Sequence, residues 1–163
     1  MYTNVLNGRL NQWCEKNNIL SDEQAGFRTE RSTIDQIFSL SEVVRNRLSQ
    51  GLETHCCFLD IRKAYDTVFR DGMWKRLLEV GIGGKMWRVL KNIYDKVESC
   101  VLVGLERTEW FNVNLGLRQG CVLSPILFDI FIDGLVKKIK DSKCGVRIDK
   151  LVVVCCFLRM ILY

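Results

Sequence analysis

Apolar positions recur along this chain at helical steps, interrupted by short runs with no such period. Leu6, Leu10 and Trp13 fall three and four residues apart within Val5 to Ile19, with polar residues between, and predict a surface helix with one packed face. Leu20 to Arg31, LSDEQAGFRTER, breaks that period and holds a glycine followed by Arg28 and Arg31. Ser32 or Thr33 can cap the next helix, which places Ile34, Ile37, Phe38, Ser41, Val44 and Leu48 on one stripe and ends near Gly51. Asp71 opens a helix with Trp74, Leu77 and Leu78 inward, stopped at the turn Gly81 to Gly84. A further helix puts Met86, Leu90, Ile93 and Val97 on one face and Arg88, Lys91 and Lys96 elsewhere. Cys100 to Val103 and Trp110 to Val113 read as two strands joined through Gly104. The last helix, Ile126 to Lys140, has Ser124 as its cap and Pro125 at its first position. It is apolar nearly all round in its first half and gathers Lys137, Lys138 and Lys140 in its last turn, where the helix end is negative.

One stretch fits neither period. Cys56 to Leu59 is a continuous apolar run that ends on Asp60. Such a run predicts a strand buried on both faces, although a short buried helix segment looks similar. An unpaired carboxylate is costly to bury, so Asp60 is expected where the strand meets a cleft, a cation or a metal. Asp66 follows six residues later, behind Tyr65; a lone acid there also reads as a helix cap. A second non-periodic stretch, GLRQGCVLSP at 116 to 125, frames Leu117, Arg118 and Gln119 between two glycines. It offers a guanidinium and an amide beside a close-approach glycine, groups suited to a phosphate and a sugar. Arg28 and Arg31 lie just before a helix N-terminus, an arrangement able to hold an anion, although solvated arginines look the same.

Composition narrows the class. At 163 residues with 48% hydrophobic, the chain is one domain's worth, or a piece of a larger protein, with enough apolar surface for a core. A net charge of +5 is compatible with nucleic acid without demanding it. The eight cysteines show no CxxC spacing, and two adjacent pairs lie in strand-like runs. They read as small buried hydrophobes of an intracellular, reducing compartment. No signal peptide opens the chain, and Leu151 to Tyr163, with Arg159 inside it, is too short to span a bilayer, so no membrane partner is expected.

QAGFRTERST at 24 to 33, FLDIRKAYDTV at 58 to 68 and GLRQGCVLSPILFDIFIDGL at 116 to 135 resemble successive blocks of reverse transcriptases of the non-LTR (LINE-like) retrotransposon branch, over roughly residues 20 to 150. Group II intron maturases and viral RNA polymerases are more distant alternatives. The resemblance implies an α+β, right-hand polymerase fold. Residues 1–53 would be fingers and 54–163 a palm truncated at or within its catalytic hairpin, with an antiparallel palm sheet packed on helices and the thumb absent. It implies that Asp60 is the catalytic, metal-binding carboxylate and that Ile61 lends its carbonyl to a metal. Tyr65 would be the steric gate against a ribose 2′-hydroxyl, and Gln119, Gly120 and Arg28 would touch the nucleotide. Arg31, Lys63 and Arg118 would contact template or other nucleic acid, with Asp66 structural. The implied cofactor is two Mg2+ ions, and the implied partners are an RNA template, a DNA primer and deoxynucleotide triphosphates. Two-metal transfer uses ions about 3.5–4 Å apart to stabilise the attacking and leaving oxygens.

One carboxylate is too few. The family supplies a further pair, in an Ala-Asp-Asp hairpin expected near Val154 to Leu162, where this sequence reads VVCCFLRMIL and no acid follows Asp149. A coding of Phe-Ala-Asp-Asp-Ile-Val-Leu, read one nucleotide out of frame, gives Leu-Arg-Met-Ile-Leu-Tyr, the residues Leu158 to Tyr163. The expectation is therefore a polymerase fragment inactive as this chain, or a dead remnant that only binds nucleic acid or a partner.

Overall fold

In a computed structural model the described residues are 2–28, 30–142, 145–148 and 151–153. They form mixed helix and small antiparallel sheets in the order α1 (Tyr2–Lys16), α2 (Thr33–Ser49), α3 (Arg70–Glu79), α4 (Gly84–Asp95), β1 (Glu98–Ser99), β2 (Leu102–Val103), β3 (Glu106–Arg107), β4 (Phe111–Asn112), α5 (Ser124–Asp141), β5 (Val146–Ile148) and β6 (Leu151–Val153).

The core sits between α3, α4, α5 and α1. Met73, Leu77, Leu90, Leu127 and Ile130 are completely enclosed there, and Leu6, Leu10 and Cys14 reach it from α1. The inward stripe of α1 therefore runs at four-residue steps and takes Cys14, leaving Trp13 at 43% exposure instead of inside. On α3 the inward residues are Met73, Trp74 and Leu77, while Leu78 faces solvent. Gly81, at φ +83°, ends that helix as its sequence position predicts.

The α2 boundary follows local chemistry. The Ser32 hydroxyl accepts the Ile34 N–H and Asp35 accepts the Ser32 N–H, a reciprocal cap. The apolar stripe of α2 is left uncovered, however, with only Val43 buried. Ser124 departs from its expected role: the helix starts at Ser124 itself, with Pro125 in the first turn and Leu123 at the cap position. Its hydroxyl instead donates to the Arg118 carbonyl and meets the Tyr94 hydroxyl.

The buried strand expected at Cys56 to Leu59 is not formed. Residues 52–61 have no regular structure, Phe58 and Leu59 are 73% and 76% exposed, and Cys56 and Cys57 are exposed too. A strand is held by its ladder, and no described strand pairs with this segment. Among the described residues the strands pair as three two-stranded antiparallel ladders. Glu98 pairs with Asn112 and Val103 with Glu106, so β1 to β4 make one interrupted hairpin turning at Gly104 (φ +63°). Thr108 fills one break: its N–H donates to Val101 and its hydroxyl accepts the Val101 N–H. Val146 opposite Val153 sets the register of β5 and β6. The Cys155–Cys156 pair and the place expected for the Ala-Asp-Asp hairpin lie outside the described residues.

Candidate functional site

The two non-periodic stretches of the sequence meet in space. The Gly116 N–H donates to the Val68 carbonyl at 3.0 Å and the Leu117 N–H to the Tyr65 carbonyl at 2.8 Å, so the 116–120 loop lies along the 65–68 turn. Gly116 is required twice over. Its φ is +77°, and a Cβ there would stand 2.6 Å from the Asp66 carbonyl oxygen. The Gln119 amide then donates to Asp66 Oδ1 at 2.7 Å. Asp66 thus fixes a side chain 53 positions away, a more specific role than holding its own turn. Tyr65 is buried, with its ring edge-on to Phe128 at 5.3 Å.

A residue that sequence reasoning passed over holds this junction. Arg70, at the start of α3, is buried and donates to three backbone carbonyls: Gly116 at 2.8 Å, Tyr94 at 3.1 Å and Leu115 at 3.2 Å. Its guanidinium also lies 5.4 Å from the Tyr94 ring centre. Burial pulls its pKa below the ordinary arginine value, and a guanidinium stays charged through such a shift. Burial pushes the Tyr94 hydroxyl up. An arginine opening a helix gives no local signal of this role, because its acceptors come from chain 24 to 46 residues away.

The other proposed site residues are more loosely placed. Asp60 is exposed and has no hydrogen-bond or ion-pair partner among the described residues. Ile61 is half-buried against the core. Lys63 is exposed at φ +51°, a backbone conformation that side chains rarely adopt. Arg118 and Gly120 are exposed on the loop, with Gly120 at φ +74° facing open space. Arg31 pairs with Asp22 at 2.7 Å. Arg28 is turned inward: it grips Glu15 through Nε at 3.0 Å and Nη2 at 2.9 Å, and donates to the Ser21 and Gln24 carbonyls. That grip holds the Glu15 carboxyl below its usual range.

A second polar cluster lies under the 20–28 loop. Asp133, completely buried on α5, accepts the Ser21 N–H at 2.8 Å and the Gln24 amide at 3.0 Å, and meets Lys137 at 2.7 Å and Arg76 at 3.5 Å. Burial pushes this carboxyl up, and Lys137, Ser21 and Gln24 more than reverse the effect, leaving it below the usual range. Asp129, one turn earlier and 6% exposed, leaves Oδ2 without a partner, and burial pushes it up to about 7. Two acids four apart in an apolar helix were the available sequence signal for this cluster.

The described residues do not make up a magnesium site. Magnesium needs several hard oxygen ligands, and among the described residues no group of three His, Cys, Asp or Glu side chains could hold a metal. Asp60 stands alone, and Asp66 is engaged by Gln119.

Comparison with known proteins settles the class. The chain belongs to the reverse transcriptase (RNA-dependent DNA polymerase) family, whose model matches residues 1–159. Its branch is that of the non-LTR retrotransposons, as a fragment. The chain is 30% identical to a retrovirus-related Pol polyprotein from type-1 retrotransposable element R2 of Popillia japonica, over 69% of this chain and 19% of that protein. It is 26% identical to a probable RNA-directed DNA polymerase from transposon BS of Drosophila melanogaster, over 80% of this chain and 14% of that protein. It is also 26% identical to the RNA-directed DNA polymerase from mobile element jockey of Drosophila funebris, over 66% and 12%. The chain thus spans less than a fifth of the length of these relatives. Among the described residues no helix is long and apolar enough to cross a membrane.

Proposed function

We propose that this chain is the fingers–palm portion of a non-LTR reverse transcriptase, with residues 1–53 as fingers and 54–163 as palm, and that it does not polymerise as written. In this reading Tyr65 lies against the sugar of an incoming nucleotide, Gln119 and Gly120 line its path, and Asp66 holds the Gln119 amide in place. Arg31, Lys63 and Arg118 supply positive charge toward an RNA template and DNA primer. Arg28 serves the site indirectly, by fixing the 20–28 loop to α1. The single observation that carries inactivity is the donor set: Asp60 has no acidic companion after Asp149, whereas two-metal phosphoryl chemistry needs several carboxylates. A reducing, intracellular setting is part of the same proposal and rests on the cysteine spacing of the sequence alone.

The experiment is primer extension by the purified chain on RNA and DNA templates with magnesium or manganese. No incorporation above background is expected. Incorporation that disappears in Asp60→Ala would overturn the proposal. A second reading, a remnant that only binds nucleic acid, is favoured by the same missing carboxylates. The frame account is checked at the locus: another frame beside codon 158 must encode Ala-Asp-Asp, or that explanation of the missing acids fails.

A further inference from the structure

We propose that the outer face of α4 is a second nucleic-acid surface, taking the phosphodiester backbone of a duplex independently of Asp60 and the 116–120 loop. Gly84 to Lys96 carries four cations, Lys85, Arg88, Lys91 and Lys96, against one acid, Asp95. That is a net +3 within a chain whose total is +5. All four cations are exposed, and none meets a carboxylate among the described residues. Elsewhere Arg28, Arg31, Arg45, Arg76, Lys137 and Lys140 are each neutralised by an acid. Other exposed cations, among them Arg9, Lys16, Arg62, Lys63 and Arg118, also lack a carboxylate partner among the described residues, and α4 is set apart by having four such cations close together on one segment.

The face is also held at a fixed rotation. Leu90 and Tyr94 are buried on the opposite side, and the Trp87 indole N–H donates to the Trp74 carbonyl at 3.0 Å. The Lys91 ammonium lies 5.1 Å from the Trp87 ring centre, which restrains one of the cations. At 1.5 Å per residue Lys85 to Lys91 cover roughly 9 Å of helix axis, and Lys96 follows at the helix C-cap. A nucleic-acid strand offers a phosphate about every 3.4 Å of axis over that length. The arc has no exposed apolar residue among its cations, so it lacks the wedge an interfacial membrane helix inserts into lipid. It also lacks the apolar anchor at the centre of a protein interface.

The test uses the full chain and a labelled short duplex, run in parallel as DNA, RNA and RNA–DNA hybrid, with binding followed by anisotropy over a salt series. Neutralising K85Q/R88Q/K91Q is expected to weaken low-salt binding at least about tenfold and to lower the slope of log affinity against log salt by between about 2 and 3. The charge-preserving K85R/R88K/K91R chain should keep both. Unchanged affinity and slope in the neutralised chain would overturn the proposal. So would tighter capture of phosphatidylserine vesicles than of any duplex, which would point to a membrane instead. Acetylation footprinting of the unaltered chain removes any question of folding in the variants. Duplex should protect Lys85, Lys91 and Lys96 several-fold relative to Lys75, and equal labelling with and without duplex would count against the α4 face. Strength ranked across the three duplexes identifies the natural source.

Discussion

Residues 65 to 97 together with 116 to 136, and residues 33 to 61, are similarly apolar in sequence and differ in fate. In the first region Tyr65, Val68, Met73, Leu90 and Leu127 are buried, and two remote loops are stitched together by backbone hydrogen bonds and by Arg70. In the second, Ile34 is 72% exposed, Phe38 63% and Leu48 74%, and the segment leading to Asp60 lies open. Burying a side chain of this size contributes about 1.5–3 kcal/mol, so the first region stores its hydrophobic stabilisation and the second leaves it unrealised. The difference divides the candidate site. Tyr65, Asp66 and Gln119 are held by contacts inside the described fold, whereas Asp60 stands on a segment with no ladder partner.

The contrast breaks most easily at Gly116. Gly116→Ala forces a Cβ against the Asp66 backbone at a left-handed φ, with no flexible atom able to yield. We expect a loss of at least about 3 kcal/mol in chemical denaturation. An unchanged midpoint would mean that the two loops are not packed together. Arg70→Met comes next. It leaves the Gly116, Leu115 and Tyr94 carbonyls without their donor in a buried setting, at a cost of about 2–3 kcal/mol. Arg70→Lys should recover only part of this, because an ammonium cannot reproduce the planar fork.

The Asp129 carboxyl sharpens the comparison through pH. Its pKa is raised from the ordinary 3.8 to about 7, first by burial and then by Asp133, with Arg28 opposing. The folded state therefore holds this proton more tightly than the unfolded chain. Its contribution is greatest below about pH 4, falls as pH rises toward 7, and is level above that. Asp129→Asn should remove this fall and raise stability at pH 8 by about 2 kcal/mol. Equal pH slopes for both chains, measured by denaturation at pH 5 and pH 8, would show that Asp129 is not dry. Asp133 has the opposite sign, since its depressed pKa adds stability that is lost as the solution turns acidic.

How legible this was depended on the range of the interactions. Helix identities follow from apolar spacing, and Ser32 could be placed as a cap because its partners lie within three residues. The 116–125 loop could be singled out because its two glycines signal close approach, but that Gly116 makes the approach and Gly120 faces open space is visible only in the fold. The strand at 56–59 could not be settled locally, since strand formation rests on a partner that an apolar run does not specify. Ser124 looked like a cap, yet Tyr94 and the Arg118 carbonyl claim its hydroxyl. Arg70 was invisible because its acceptors are distant in sequence. The inward grip of Arg28 on Glu15 was hidden for the same reason: the loop suggests an anion site, and only the fold brings α1 beside it.

The smallest expected effect tests the open region itself. Ile34→Ser and Phe38→Ser alter side chains that already face solvent, so each should shift stability by no more than about 0.5 kcal/mol. Leu127→Ala, a change of the same kind inside the core, should cost about 3 kcal/mol. The serine variants should also stay in solution at higher concentration, because an uncovered apolar stripe on α2 favours self-association. If Ile34→Ser instead destabilises the chain as much as Leu127→Ala, the stripe is covered in solution. A melting temperature of the parent chain that rises with concentration would then assign the cover to a second copy, and a concentration-independent one would assign it to the chain's own residues outside the described set.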